Sequence, residues 1–231
     1  MQSRRFFTVI LLTVLFFSAM WFVSSYFSVK SIQFQGIDSL QGIDSVNHSF
    51  LPFIHTGRLT NKLQTLNPTL ASLTVQKMYP QTLVITARKQ RPAVELILSD
   101  GSATLSESGM VLAKEKSDQN DSQLPQITYY QPLYYNQFSV GETIEYKEIL
   151  AGSYFAQKVL ELGTSVTTID ITNENMIVLQ AESYTVIVTS EEDIELQSAR
   201  LNYTYTELQR KKKKFSSIDV RFERPIITLQ K

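Results

Sequence analysis

The chain has 231 residues, of which 43% are hydrophobic and 19% charged, and this composition suits one or two folded domains with a buried core. Basic and acidic side chains balance at 22 each, so the chain lacks the positive excess with which nucleic-acid-binding proteins contact phosphate. There is no cysteine, which excludes disulfide bonds and thiolate metal sites.

The N-terminal region contains an uncharged apolar run over 6–27, and two arginines precede it within residues 1–5. A helix of this length spans the roughly 30 Å hydrocarbon core of a bilayer, and Trp21 and Tyr26 near its far end are typical of an interfacial anchor. No A-x-A pattern follows the run, which favours an uncleaved anchor over a cleaved signal peptide. We therefore expect a cytoplasmic tail over 1–5, a transmembrane helix over 6–27 and an exported remainder.

Residues 28–90 predict a small domain with the element order strand, helix, helix, strand, strand. The segment VKSIQFQGI alternates apolar and polar residues, as a half-buried strand does. Two short helical stretches follow, one around 44–50 and one over 58–66 that stops before Pro68. LTVQKMY and TLVITARK are separated by only two residues, which predicts a hairpin.

Residues 91–231 predict a β-rich domain with two helices. Strands AVELIL and GMVLAK flank a turn-rich segment, and the polar stretch EKSDQNDSQ predicts an exposed loop before LPQITYY. A helix over 146–162 has Leu160 among its inward-facing residues, and three strands follow it as a meander. A second helix is expected to open at Ser190, with Asp193 completing a capping pair.

The chain ends in an alternating segment, residues 215–231, with Ile218, Val220 and Phe222 on one side; it is broken at Pro225 and resumes as IITLQ. Proline cannot donate to a sheet ladder, so we expect this last strand at a sheet edge, where it can accept a strand from another chain. Because Phe222 shares a side with Ile218 and Val220, a place in the core is an alternative for its ring.

Several short motifs, taken in order, resemble the bacterial cell-division family FtsQ/DivIB. They are KMYPQTLVITARKQRPAVELI, SDGSATLSESGMVLAK, LPQI and IDVRFERP. The chain departs from the family pattern at Gln90, where an acidic residue is usual, and at Thr189 and Ser190, which replace a glycine. The resemblance implies an α+β fold: an N-terminal single transmembrane helix, a POTRA-like (polypeptide-transport-associated) β-α-α-β-β domain over 28–90, and a mixed β-rich domain with two helices over 91–231.

The resemblance also implies a function. Members of the family are non-enzymatic scaffolds at the division septum, inserted in the cell membrane with most of the chain outside the cytoplasm. The implied partners are FtsB-like and FtsL-like single-pass coiled-coil proteins, through which septal peptidoglycan synthesis is controlled, with other divisome membrane proteins at the POTRA-like domain. The implied contacts are the lipid bilayer at the anchor and partner strands at the C-terminal edge, without cofactor or nucleic acid. The partner-binding residues expected along that edge are Arg221, Phe222, Glu223, Ile226, Ile227 and Thr228.

Catalytic motifs are not apparent in the sequence. It contains no G-x-S-x-G elbow, no S-x-x-K pair and no phosphate-binding glycine pattern. His48 and His55 lack a Glu-x-x-His companion, which favours surface or capping roles over a metal site. The alternative function is a membrane-anchored envelope enzyme or a polypeptide translocation component with a POTRA module.

Two further segments have alternative interpretations. The basic run Arg210–Lys214 lies at the end of the last predicted helix, where cations complement the helix dipole, and a patch for anionic lipid headgroups is the alternative. The tyrosine-rich segment over 129–138 is either an adhesive surface loop or a strand and turn whose rings pack on the core.

Overall fold

The computed structural model describes residues 2–116 and 123–230, and its side chains are described from residue 11 onward. The predicted polar loop therefore lies mostly outside the described residues, as do the side chains of the predicted cytoplasmic tail. The backbone contacts divide the chain between Lys89 and Gln90 into two compact units, which we call the first and the second unit.

The predicted transmembrane helix is not supported. The first helix, α1, spans Gln2–Tyr26, but within the described part of the chain no helix is both long enough and apolar enough to cross a membrane.

The first unit contains a three-stranded sheet and one further α-helix. Strand β1 (Ser31–Gln35) pairs in parallel with β3 (Thr82–Lys89), and β3 forms the predicted hairpin with β2 (Leu70–Met78), which gives the order β1-β3-β2. Helix α2 (Thr56–Leu66) covers the sheet with Leu59 and Leu63.

The predicted first helix of this unit is wrong. Its place is taken by two short 3-10 turns, Ile43–Val46 and Leu51–Phe53. Gly42 at the start of the first turn has a positive φ of 85°, and Pro52 lies inside the second, where it lacks the N–H that a continuing helix requires. The layout of the unit therefore differs from the expected β-α-α-β-β order.

The second unit is built on one nine-stranded mixed sheet with two helices. Its strand order is β12-β11-β10-β9-β8-β7-β4-β5-β6, so that β12 and β6 form the two edges. The strands are β4 (Pro92–Leu98), β5 (Gly101–Ser106), β6 (Val111–Glu115), β7 (Gln126–Tyr129), β8 (Val166–Asn173), β9 (Met176–Ala181), β10 (Thr185–Val188), β11 (Phe215–Asp219) and β12 (Ile226–Leu229), and the helices are α3 (Lys147–Glu161) and α4 (Ile194–Arg210).

Both helices connect neighbouring parallel strands. Helix α3 lies between β7 and β8 in the chain, and α4 lies between β10 and β11; each of these strand pairs is parallel. A parallel pair needs a crossover connection, which puts the helix on a face of the sheet. Buried side chains of both helices, such as Phe155 of α3 and Leu201 of α4, join the aliphatic residues of the sheet in one core.

The predictions for this unit need three corrections. Strand β5 (Gly101–Ser106) lies within the segment that was expected to be turn-rich. Helix α4 begins after Asp193 instead of at Ser190, because the Asp193 carboxylate accepts the N–H groups of Glu195 and Leu196 as an N-cap. Leu160 is 52% exposed, and the neighbouring Val159 packs in the core in its place.

The C-terminal segment also differs from the prediction. The expected single strand over 215–231 is an antiparallel hairpin of β11 and β12, joined by residues 220–225. Of these two strands, only β12 lies at a sheet edge.

A row of directly opposed aliphatic residues crosses the sheet on the helix-covered face. Its members, from β5 to β12, are Ala103, Leu96, Ile127, Ile169, Leu179, Val186, Ile218 and Ile227. All except Ile227 are fully buried. The row therefore sets the register of eight strands, since a slip by one residue would turn an aliphatic side chain to the opposite face.

We expect Phe155→Ala to lower the free energy of unfolding of the second unit by about 3–5 kcal/mol, because Phe155 is fully buried and its removal leaves a cavity. Leu160→Ala on the same helix serves as the matched control and should change stability by about 0.5 kcal/mol or less. Urea unfolding followed by circular dichroism measures both, and equal losses would contradict the placement of the α3 core face.

Candidate functional site: the C-terminal sheet edge

The residues predicted to bind a partner fall into two groups. Ile226, Ile227 and Thr228 lie in β12, and Arg221, Phe222 and Glu223 lie in the connection between β11 and β12. All four residues of β12 have exposed side chains. We call the strand and this connection together the C-terminal edge.

Side-chain hydrogen bonds hold β12 against β11. The Ser217 hydroxyl donates to the Thr228 hydroxyl over 2.8 Å, and the Ser216 hydroxyl donates to the Thr228 carbonyl oxygen over 3.3 Å. A register shift between Phe215 and Ser217 marks a bulge at this point. The two hydroxyls therefore keep a four-residue strand in place.

The direction of these bonds shows which main-chain groups of β12 are unpaired. The Thr228 carbonyl points to β11, and the Gln230 N–H donates to the Lys214 carbonyl oxygen over 3.2 Å. Successive residues of a strand direct their N–H and C=O groups to opposite sides. Ile227 and Leu229 therefore direct theirs away from β11, where the strand order of the described chain has no further strand.

The same two residues extend the helix-covered face of the sheet beyond its last neighbour. Ile227 lies opposite the buried Ile218, and Leu229 lies opposite the buried Phe215. Ile227 remains 38% exposed and Leu229 51% exposed, because the aliphatic row ends at this strand. An apolar surface and a row of unpaired main-chain groups thus coincide.

The connection is organised by an ion pair. The guanidinium of Arg221 donates from Nε to Asp219 Oδ1 over 3.0 Å and from Nη2 to Asp219 Oδ2 over 2.7 Å. These hydrogen bonds raise the pKa of Arg221 above its ordinary value. Asp219 is buried, so Arg221 neutralises a carboxylate within the fold.

Phe222 does not take the alternative place in the core. Its ring is 48% exposed and lies 5.4 Å from the Arg221 guanidinium carbon, in a cation–π contact. Glu223 is exposed as well. The connection thus presents an aromatic ring beside the free edge.

The opposite edge of the sheet is covered. The Val111 N–H of β6 donates to the Glu142 carbonyl oxygen, and the Gly141 N–H donates to the Val111 carbonyl oxygen, each over 2.8 Å. The Lys114 ammonium donates to the carbonyl oxygens of Tyr135 and Phe138. A loop therefore occupies much of the β6 edge, whereas β12 has no such cover in the described chain.

Two side chains of α4 hydrogen-bond to the main chain just after β10 and just after β11. Gln197 is fully buried; its carbonyl accepts the Thr189 N–H over 3.0 Å, and its amide donates to the Thr189 carbonyl over 2.9 Å. Arg200 pairs with Glu192 over 2.7 Å and reaches the Val220 carbonyl oxygen at the end of β11. Neither residue was predicted from the sequence, although the spacing of Gln197 relative to Leu201 places it on the buried face of the helix.

An aromatic cluster packs α4 against β11, the strand next to the edge strand β12. The rings of Tyr184, Tyr205 and Phe215 are 5.0–6.1 Å apart between centroids. Tyr184 is buried, and burial raises the pKa of its hydroxyl. The cluster joins α4 to β11 and so fixes the strand that β12 pairs with.

The basic run and the tyrosine-rich segment make local side-chain contacts. Glu207 accepts from Arg210 and Lys211, which lowers the pKa of its carboxyl to about 2. In the tyrosine-rich segment, Tyr129 packs on Tyr130 and Tyr146 with centroids 4.5 and 5.5 Å away. Among residues 2–116 and 123–230, no three His, Asp or Glu side chains are placed to hold a metal ion.

No protein-family model matches the chain, and no curated protein matches it.

Gln197→Leu should lower the free energy of unfolding by about 1–3 kcal/mol, because it leaves the Thr189 N–H and carbonyl buried without a partner. Gln209→Leu at the exposed end of the same helix is the control, with an expected change of about 0.5 kcal/mol or less. Urea unfolding distinguishes them, and a neutral Gln197→Leu would show that the bonds to Thr189 do not stabilise the fold.

Tyr184→Phe should make the protein less sensitive to alkaline pH. The pKa of Tyr184 is raised in the folded state above its unfolded value of about 10, so its contribution to stability is complete below pH about 10 and declines as pH rises through the folded pKa. The measurement is the urea midpoint as a function of pH. Tyr203→Phe, at a position 72% exposed, should follow the unsubstituted protein.

Proposed function

We propose that the chain is a protein-binding scaffold that accepts a partner strand at its C-terminal edge. The observation that carries this proposal is that the unpaired main-chain groups of Ile227 and Leu229 coincide with the exposed end of the aliphatic row. In strand addition, main-chain hydrogen bonds supply affinity, and alternating side chains supply specificity.

The geometry of the edge defines the partner segment. A strand that pairs with Ile227 and Leu229 places every second side chain on the helix-covered face, where it extends the aliphatic row. Its other side chains lie beside Ile226 and Thr228 on the opposite face of the sheet. The partner is therefore a short extended segment in which aliphatic and polar residues alternate, and one end of it passes Phe222.

We further propose that the chain acts as an FtsQ/DivIB-type component of the bacterial division machinery. The support is the ordered set of motifs that resemble this family, including IDVRFERP, which contains the end of β11 and the connection to β12. In this proposal the chain is non-enzymatic, its partners are FtsB-like and FtsL-like proteins, and it acts on the outer side of the cell membrane at the septum. A fluorescent fusion checks the location, and a signal spread evenly along the cell would contradict it.

Leu229→Pro should weaken binding to the exported segment of an FtsB-like protein by about tenfold or more, because proline removes an outward N–H that a partner strand needs. Leu229→Ala loses the same side chain but keeps the N–H, so its affinity should fall less. Isothermal titration with the full chain measures both dissociation constants.

Two further variants complete this experiment. Phe222→Ala should weaken binding, because the partner segment passes this exposed ring, whereas Tyr203→Ala, at an exposed aromatic residue on α4, should not. Equal affinities for Leu229→Pro and Leu229→Ala would mean that no main-chain pairing takes place at this edge. Circular dichroism checks that each variant remains folded.

A further inference from the structure

The first unit carries exposed aromatic rings at the end of α1. Phe53 is 80% exposed and Tyr79 58% exposed, and Phe27 and Phe50 are half-buried beside them. We call these four residues the aromatic patch. Its ring centroids lie 5.0 Å apart for Phe50 and Phe53, 6.4 Å for Phe27 and Phe50, and 6.3 Å for Phe27 and Tyr79. A contiguous exposed patch of large apolar side chains marks an interaction surface.

Backbone hydrogen bonds fix the patch to the end of α1. The Leu51 N–H donates to the Phe27 carbonyl over 2.9 Å, and the Val29 N–H donates to the Ser49 carbonyl over 2.9 Å. Phe27 also meets Tyr26 edge to face, with centroids 5.2 Å apart. The patch is therefore continuous with the exposed apolar side chains of α1, among them Trp21.

The charge of the first unit distinguishes among the possible occupants of the patch. From residue 27 to 89 there are six Lys or Arg and two Asp or Glu, a formal charge of +4, whereas residues 90–231 have 14 basic and 20 acidic residues, a formal charge of −6. The exposed Lys30 donates its main-chain N–H to the Gln81 carbonyl, and Lys77 donates from Nζ to the Pro52 carbonyl, so both lie beside the patch. Positive charge next to exposed rings complements an anionic apolar interface.

We propose that the aromatic patch docks the first unit on the surface of an anionic lipid bilayer, with the rings at headgroup level and Lys30 next to the lipid phosphates. Aromatic side chains favour this depth because their rings tolerate both the apolar and the wet side of the interface. Attraction of a cation to anionic lipid adds to this binding. The proposal concerns a surface remote in sequence from the C-terminal edge and does not depend on the proposed strand addition.

The test uses the full chain in lipid vesicles. Because the chain has no cysteine, Met78→Cys gives a single attachment point for an environment-sensitive fluorophore next to Tyr79, and Asn61→Cys on α2 gives a matched control. The vesicles contain phosphatidylcholine with phosphatidylglycerol, or phosphatidylcholine alone, and a spin label near the headgroups quenches fluorophores at that depth. We expect quenching and a blue shift at position 78 in the anionic vesicles, and neither at position 61.

Variants of the patch complete the test. Phe53→Ser with Tyr79→Ser should reduce quenching at position 78 to the level at position 61, and both side chains are exposed enough for the fold to be retained, which circular dichroism checks. Lys30→Gln should reduce quenching in the anionic vesicles only. Equal signals at positions 78 and 61 would overturn the proposal, as would shielding of position 78 that occurs only after a partner membrane protein is added. Unchanged quenching in the double variant would overturn the role of the rings.

Discussion

The second unit depends on one constraint, the register of the aliphatic row that crosses its sheet. From Ala103 to Ile227, each strand places one aliphatic residue opposite that of its neighbour, and the two crossover helices cover that face. The register that buries Ile218 also decides that the main chain of Ile227 points outward. Because a strand has a period of two, a partner that extends the row must keep this register or place polar residues on the apolar face. In the proposed strand addition, affinity and specificity would thus have the same structural origin.

The C-terminal segment shows why alternation alone did not define the fold. The alternating pattern from Ile218 to Phe222 predicted one continuous strand with Asp219 and Arg221 facing solvent. In the structure these two side chains bind each other instead. The ion pair lies where β11 ends and the connection begins, and the exposed Phe222 follows it. An alternating pattern of polar and apolar residues does not show whether a polar side chain faces solvent or pairs with the side chain two positions along the chain. The location of the edge near the C-terminus was predictable, whereas the hairpin required the tertiary contacts.

Elements with strong local signals were predictable, and those that depend on distant partners were not. Helix α3 begins and ends within a residue of its expected bounds, with Gly163 following it at a positive φ of 86°. The start of α4 moved to Asp193 because a carboxylate cap binds two N–H groups there. Gln197 was missed because a glutamine on a helix gives no local sign that its amide will pair with the main chain at Thr189. The exposure of β12 was not predictable either, because it depends on the order of the other strands in the sheet.

The balanced charge of the whole chain conceals a division between its two units. An overall charge of zero is the sum of a basic N-terminal part and an acidic second unit, although the balanced composition of the whole chain argued against a nucleic-acid-binding surface. The division in charge also separates the two proposed interactions, lipid docking at the first unit and strand addition at the second. Aromatic rings and cations meet at the end of α1, where affinity would depend on salt and lipid charge. The edge strand β12 carries no charged residue, and binding there would depend on main-chain pairing and on the burial of Ile227 and Leu229. Ionic strength is therefore expected to weaken the first interaction while leaving the contribution of the β12 strand to the second nearly unchanged.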